Sequence, residues 1–150
     1  MRRKDRMLGA DETSRILTQG EFGILSTVSA DGQPYGIPLS YVYMGSSIYF
    51  HCATEGHKLE NMTTNGKVSF CVVGRTQVLS DQFTTNYESA IVFGQAVEVQ
   101  GTEKYDSLLA LLEKYSPGFI ESGKEYIEKN LARTKVVKIS IDHLAGKSRK

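Results

Sequence analysis

The sequence predicts a mainly β fold, a six-stranded antiparallel barrel with added helices, and three observations lead there. Apolar and polar residues alternate with a period of two in several short runs. Tight-turn signals such as Asp31-Gly32 and Gly45-Ser46-Ser47 separate the early runs, which makes neighbours antiparallel. The clearest helical stripes come late in the chain, so no regular strand-helix alternation supports a parallel sheet.

Asp11 stands where it can cap a short helix through Leu17, with Gly20 placed for a helix C-terminus that tolerates positive φ. Residues 22–28 form the first strand, Phe22, Ile24 and Val28 alternating with Gly23, Leu25 and Thr27. The second strand carries Tyr35, Ile37, Leu39, Tyr41 and Tyr43 on one face and Pro34, Gly36, Pro38, Ser40 and Val42 on the other. The third, 48–53, alternates Ile48, Phe50 and Cys52 with Tyr49, His51 and Ala53. After Thr54-Glu55-Gly56 the spacing of Leu59 and Met62 predicts a helix over 57–64. Val68, Phe70 and Val72 mark the fourth strand, the polar stretch 75–86 a long connection, and 87–100 a long, bent fifth strand. Tyr105, Leu108, Leu109, Leu112 and Tyr115 make a helical stripe that stops near Pro117. Ser122-Gly123-Lys124-Glu125 has capping-box spacing and opens a further helix packed through Ile127 and Leu131. Val137, Ile139 and Ile141 close the chain's β pattern over 136–141, and the basic tail beyond reads as a solvated end.

With 150 residues the chain is long enough for one buried core and too short for two, so a single domain is expected. Charged residues are 23% and the net charge is +1, which excludes a disordered tail and disfavours nucleic-acid binding. The basic opening Met1-Arg2-Arg3-Lys4-Asp5-Arg6 resembles the start of an export signal, but Asp11, Glu12 and Arg15 interrupt the apolar stretch such a signal needs. The longest apolar run, 108–112, is far short of the ~20 residues that cross a bilayer. A cytoplasmic protein with no membrane partner is the expectation. Cys52 and Cys71 lie in apolar strand runs without CxxC spacing and read as reduced core residues, a disulfide between neighbouring strands remaining the alternative.

Two segments invite chemistry. Pro inside a strand interrupts the ladder, so the face of Gly36, Pro38 and Ser40 exposes backbone on which something flat can lie, an edge strand or bulge being the plain alternative. At Thr54-Glu55-Gly56-His57-Lys58 a glycine precedes a helix start bearing an imidazole and an ammonium, and free N–H groups there suit a phosphate as well as they suit solvent. His51 and His57 lack the i, i+4 register of a metal pair and have no carboxylate at a ligand position beside them, so no metal is expected. Gly146-Lys147-Ser148 has the end of a phosphate loop but Ile141 where its first glycine belongs. No Ser-His-Asp order, nucleophile elbow or carboxylate pair emerges, so any catalysis falls to a bound cofactor, and catalytic side chains remain unassigned.

The segments 32–41 and 49–59, then 69–73, 83–94 and 143–147, in that order, resemble the nitroimidazole-resistance (Nim-type) proteins within the pyridoxamine 5'-phosphate oxidase-like superfamily, as does the opening at 1–6. The resemblance spans nearly the whole chain. It implies a six-stranded FMN-binding split barrel working as a homodimer, with two flavin sites at the interface, each built from both subunits. By that resemblance Pro38, Leu39 and Ser40 line the isoalloxazine edge, and His51, Cys52 and Ala53 offer it strand backbone. His57 and Lys58 hold the phosphate, while Tyr87, Glu88 and Ser89 approach the ring from the other subunit. The implied activity is FMN-dependent reduction of a small acceptor such as a 5-nitroimidazole or another nitroaromatic compound, with FAD as the alternative cofactor. A non-catalytic flavin carrier or redox sensor, or a relative holding haem or a deazaflavin, are the alternatives. The chain has no Trp and lacks the arginine- and tryptophan-containing C-terminal region of full-length pyridoxamine 5'-phosphate oxidases, which speaks against vitamin oxidation.

Overall fold

The computed structural model describes residues 3–150; Met1 and Arg2, part of the family-like opening, lie outside the described residues. Helix α1 (Ala10–Gln19) precedes the hairpin of β1 (Gly23–Val28) and β2 (Pro34–Leu39). Then come β3 (Val42–Met44), β4 (Ser47–Cys52), α2 (His57–Thr64), β5 (Lys67–Leu79) and β6 (Thr84–Val99). Helices α3 (Gly101–Tyr115) and α4 (Ile120–Asn130) come next, and β7 (Lys135–Arg149) ends the fold. The strands form one antiparallel sheet in the order β2-β1-β5-β6-β7-β4-β3. The architecture is mainly β with added helices, as expected. No described helix is long and apolar enough to cross a membrane.

The sheet has seven strands rather than six because the second predicted strand divides at Ser40 and Tyr41. Tyr41 is fully buried, and side chains of α3 take over its backbone groups. Its N–H donates to the Tyr115 hydroxyl at 3.0 Å, and its carbonyl accepts the Lys114 ammonium at 2.9 Å. Since β2 and β3 lie at opposite edges of the sheet yet are joined by two residues, those edges come within roughly 11 Å, three Cα steps, of each other. The sheet therefore curls on itself without closing, and a core of Leu25, Tyr41, Phe50, Phe70, Val92 and Ile139 fills the curl. A second cluster, including Tyr49, Leu108, Leu111, Ile127 and Val136, packs α3 and α4 on the outer side.

Other boundaries depart from the expectation for identifiable reasons. The stretch 75–86 is mostly strand: β5 and β6 pair as far as Leu79 and Thr84, and only 80–83 turn, with Phe83 left-handed at φ 52°. Polar alternation on a solvated ribbon hides a strand from an apolar count. The tail is strand too, since Lys147, Ser148 and Arg149 pair with Ser89, Glu88 and Tyr87. Asp11 lies inside α1, whose cap is Gly9, and Gly20 is extended at φ −61°. Helix α4 begins at Ile120, so Ser122 is inside it and its hydroxyl donates to the Phe119 carbonyl at 3.2 Å rather than capping. Both cysteines are free, Cys52 buried and Cys71 half-buried.

Candidate functional site

The β3–β4 ladder pairs Met44 with Ser47, Tyr43 with Ile48 and Val42 with Tyr49. Carried on at the same register it would set Ser40 opposite His51, Leu39 opposite Cys52 and Pro38 opposite Ala53. The ladder stops instead, because β3 ends at Val42 and β2 turns its pairing to β1. These six residues, all singled out in the sequence, are the two lips of an unzipped seam between the sheet's edges. Along each lip, alternate residues direct N–H and C=O groups at the seam with no strand to receive them.

Side chains sort by face. Cys52 is buried in the core and Leu39 packs against it, so from these two only backbone reaches the seam. Pro38, Ser40, His51 and Ala53 are exposed on the outer side. Burial pushes the Cys52 thiol up. Partial burial first, then the Lys58 ammonium, push the His51 imidazole below its ordinary value, which favours its neutral form.

Helix α2 opens beside this seam. Gly56, at φ 132°, makes the turn into it, and no side chain caps the helix. The Leu59 and Glu60 N–H groups donate to the Gly56 carbonyl at 2.9 and 3.2 Å, while those of His57 and Lys58 have no intrahelical partner. The His57 ring stands edge-on to Tyr35 of β2, centroids 4.6 Å apart, and Asn61 donates to Thr27 of β1 at 2.9 Å. The helix start is thereby fastened next to the β2 lip, where two free amides and the Lys58 charge suit an anion.

Tyr87, Glu88 and Ser89 lie elsewhere, on β6 between β5 and β7. Opposite Glu88 a bulge at Gly74 and Arg75 interrupts β5, and a Cβ on Gly74 would stand 2.7 Å from the Glu88 Cγ. The Glu88 carboxylate accepts from the Arg15 guanidinium at 2.7 Å and from the Arg75 N–H at 3.3 Å, and Arg15 holds its carboxyl below the usual range. Lys147 lies 5.5 Å over the Tyr87 ring, and hydrogen bonding to it is the main cause that pulls the phenol down. Tyr87 and Glu88 line a cavity of about 720 Å³ with Arg75, Arg149 and Lys150. Ser40 and His51 line a different one, of about 620 Å³, beneath α3 and α4. Within one chain the two groups are not brought together.

Sequence reasoning does not find the helical wall of that second cavity. Tyr115 reads as one more residue of a stripe, and only the off-stripe aromatic residues Phe119 and Tyr126, both about 70% exposed, hint at it. Nor does it assign Arg15, which reads only as an interruption of an apolar stretch.

The family described as pyridoxamine 5'-phosphate oxidase matches residues 9–148. No match was found among curated proteins. Solved structures share the fold. One is a Bacteroides thetaiotaomicron protein provisionally named for 5-nitroimidazole antibiotic resistance, 20% identical, TM-score 0.75, covering 95% of this chain and 86% of that one. A FAD-binding protein of Mesorhizobium loti is 25% identical, TM-score 0.69, with 97% and 98% covered. A FAD and heme binding protein of Mycobacterium smegmatis is 21% identical, TM-score 0.82, with 95% and 72% covered.

Proposed function

The chain belongs to the pyridoxamine 5'-phosphate oxidase family, and on that footing we propose that it is an FMN-dependent oxidoreductase of the nitroimidazole-resistance kind, reducing small acceptors such as 5-nitroimidazoles and other nitroaromatic compounds. The observation that carries this reading is the seam. A flavin ring is flat and edged with donors and acceptors, and the lips 38–40 and 51–53 present unpaired peptide groups beside a helix start that suits its phosphate. When bound, the flavin supplies the electron transfer that no constellation of side chains provides.

The chain's own residues then divide the work. Pro38, Leu39 and Ser40 bound one side of the ring, with the Ser40 hydroxyl as the only side-chain donor among them. His51, Cys52 and Ala53 offer backbone from the other lip. His57 and Lys58 anchor the phosphate, Lys58 by charge-assisted hydrogen bonding. FAD is the alternative cofactor, in keeping with the names of the M. loti and M. smegmatis proteins.

The reading includes a homodimer. Paired residues share a face, and Pro38, Ile24, Cys71, Ile91 and Ala145 form one apolar row across β2, β1, β5, β6 and β7. The neighbouring Phe93 and Val73 are 48% and 57% exposed. A second copy seated on this face would cover the row right up to the Pro38 lip and set its own β6 near the seam. Because Arg15 already engages the Glu88 carboxylate, Tyr87 and Ser89 are the side chains of that trio left to face a flavin across the interface.

The test is anaerobic. Protein loaded with FMN is reduced chemically and mixed with a 5-nitroimidazole, and flavin reoxidation is followed by absorbance. Reoxidation faster than in free FMN supports the enzyme. Reoxidation at the free-flavin rate would leave a carrier, and protein that takes up neither FMN nor FAD would refute the assignment.

A further inference from the structure

The cavity under α3 and α4 opens onto the same lips. Its floor is the apolar Leu108, Leu111 and Ile127, each less than 9% exposed, and its inner end is Ser40 and His51. Phe119 and Tyr126 stand exposed at its rim. The helices are set close around it by Gly123, a position inside α4 where a Cβ would run into the Leu112 side chain. At about 620 Å³ it falls within the range of pockets that take small organic ligands.

What distinguishes this cavity is what its wall lacks. In a chain that is 23% Asp, Glu, Lys and Arg, none of the lining residues is one of the four. Most of its polar atoms are already engaged. The Tyr115 hydroxyl is bonded to Tyr41 and Glu21, Ser122 to Phe119, Asn130 to Tyr126, and Thr134 to Asn130. Besides the Ser116 and Tyr126 hydroxyls, which have no hydrogen bond among the described residues, Ser40 and His51 are left to meet a ligand, and these two stand at the seam end. A formal charge entering such a wall would lose hydration and meet no counter-charge among the lining residues, Lys58 beside His51 and the Arg133 guanidinium on Asn130 standing outside the lining, whereas a flat apolar ring needs none. His51 does not alter this, since its surroundings favour the neutral imidazole.

We propose that this cavity, entered between Phe119 and Tyr126, is the acceptor pocket, and that it selects uncharged planar aromatic compounds whose polar edge reaches Ser40 and His51. The selection by charge is a property of the wall alone; the word acceptor rests on the flavin reading of the seam.

A matched pair of ligands tests it. 4-Nitrotoluene and 4-nitrobenzoate are alike in size and differ by one negative charge. Their binding is measured by ligand-observed NMR and calorimetry on protein with and without FMN, for the wild type, Ser122→Trp and Ser122→Glu. Ser122 is exposed and its hydroxyl bonds only within its own turn, so both variants should fold, as far-UV circular dichroism would verify. The expected result is at least tenfold tighter binding of the neutral compound to the wild type, and at least a tenfold loss in both variants with FMN affinity unchanged. Equal binding of the two compounds, or neutral binding that neither variant weakens, would overturn the pocket whether or not flavin binds. Neutral binding with the expected variant losses, in protein that takes up no flavin, would overturn the acceptor role.

Discussion

Replacing Tyr115 by Phe removes one oxygen and strands one buried amide. The Tyr115 hydroxyl accepts the Tyr41 N–H at 3.0 Å and lies 2.6 Å from the Glu21 carbonyl and 3.0 Å from the Tyr41 carbonyl. Its single proton serves one carbonyl at a time. In the variant the Tyr41 carbonyl keeps the Lys114 ammonium, and the Glu21 carbonyl lies where water reaches it. The Tyr41 N–H keeps nothing, and its residue is fully buried. Leaving such a donor without a partner costs about 1–3 kcal/mol. At about 2–4 °C per kcal/mol for a domain of this size, Tm should fall by roughly 2–12 °C. Urea unfolding should show the same loss through a lower midpoint at unchanged m-value. Tyr105→Phe is the control, because Tyr105 packs in the same helical cluster and its hydroxyl has no hydrogen bond among the described residues. If Tyr115→Phe proved no more destabilising than that control, the account of why the second strand divides at Tyr41 would be wrong.

Lys58→Ala should leave the fold intact and weaken FMN binding by about 10- to 150-fold, the loss of one charge-assisted bond worth roughly 1.5–3 kcal/mol; fluorescence titration reads it, and unchanged affinity would remove the phosphate assignment. Gly94→Ala should destabilise by at least ~1–3 kcal/mol, because a Cβ there would press into the Ser140 carbonyl beside the Asp142 bulge, and backbone cannot swing aside; chemical denaturation at or near wild-type stability would contradict the packing. Glu88 has its carboxyl lowered in the fold relative to 4.5, so its contribution to stability is full above that value and is lost as pH falls through the folded pKa. Glu88→Gln should therefore flatten the stability profile below about pH 4.5, and a parallel acid slope in both proteins would show that the Arg15 pair is not its source.

Legibility varies with the kind of signal. Short strands announce themselves by alternation, β1 with one buried face and β4 through Ile48, Phe50 and Cys52 although residues 47–50 are buried on both faces, and the bounds of α2 are readable because a glycine with positive φ precedes it. The β5–β6 ribbon is not readable in this way, since beyond Val73 both faces are solvated and polar residues pair as well as apolar ones. The division at Tyr41 is invisible for another reason: the groups that end the strand belong to Lys114 and Tyr115, more than seventy residues away. The lips of the seam can be named from resemblance, but their relation to each other is a matter of register, which one strand alone does not reveal. The helical wall of the second cavity arises only where α3 and α4 meet the sheet, and no local pattern encodes it.

A row of unanswered peptide groups is also an adhesive strip. Any extended segment, including the same strand of another molecule, finds there a template for cross-chain pairing. Pro34 and Pro38 blunt it, since neither brings an N–H to the rim of β2, but the 50–52 stretch of β4 has no such protection. The molecule is thus stickiest when nothing fills the gap. If the seam takes the flavin proposed for it, preparations without flavin should clump in proportion to concentration, and handling them with flavin in excess is the physical remedy.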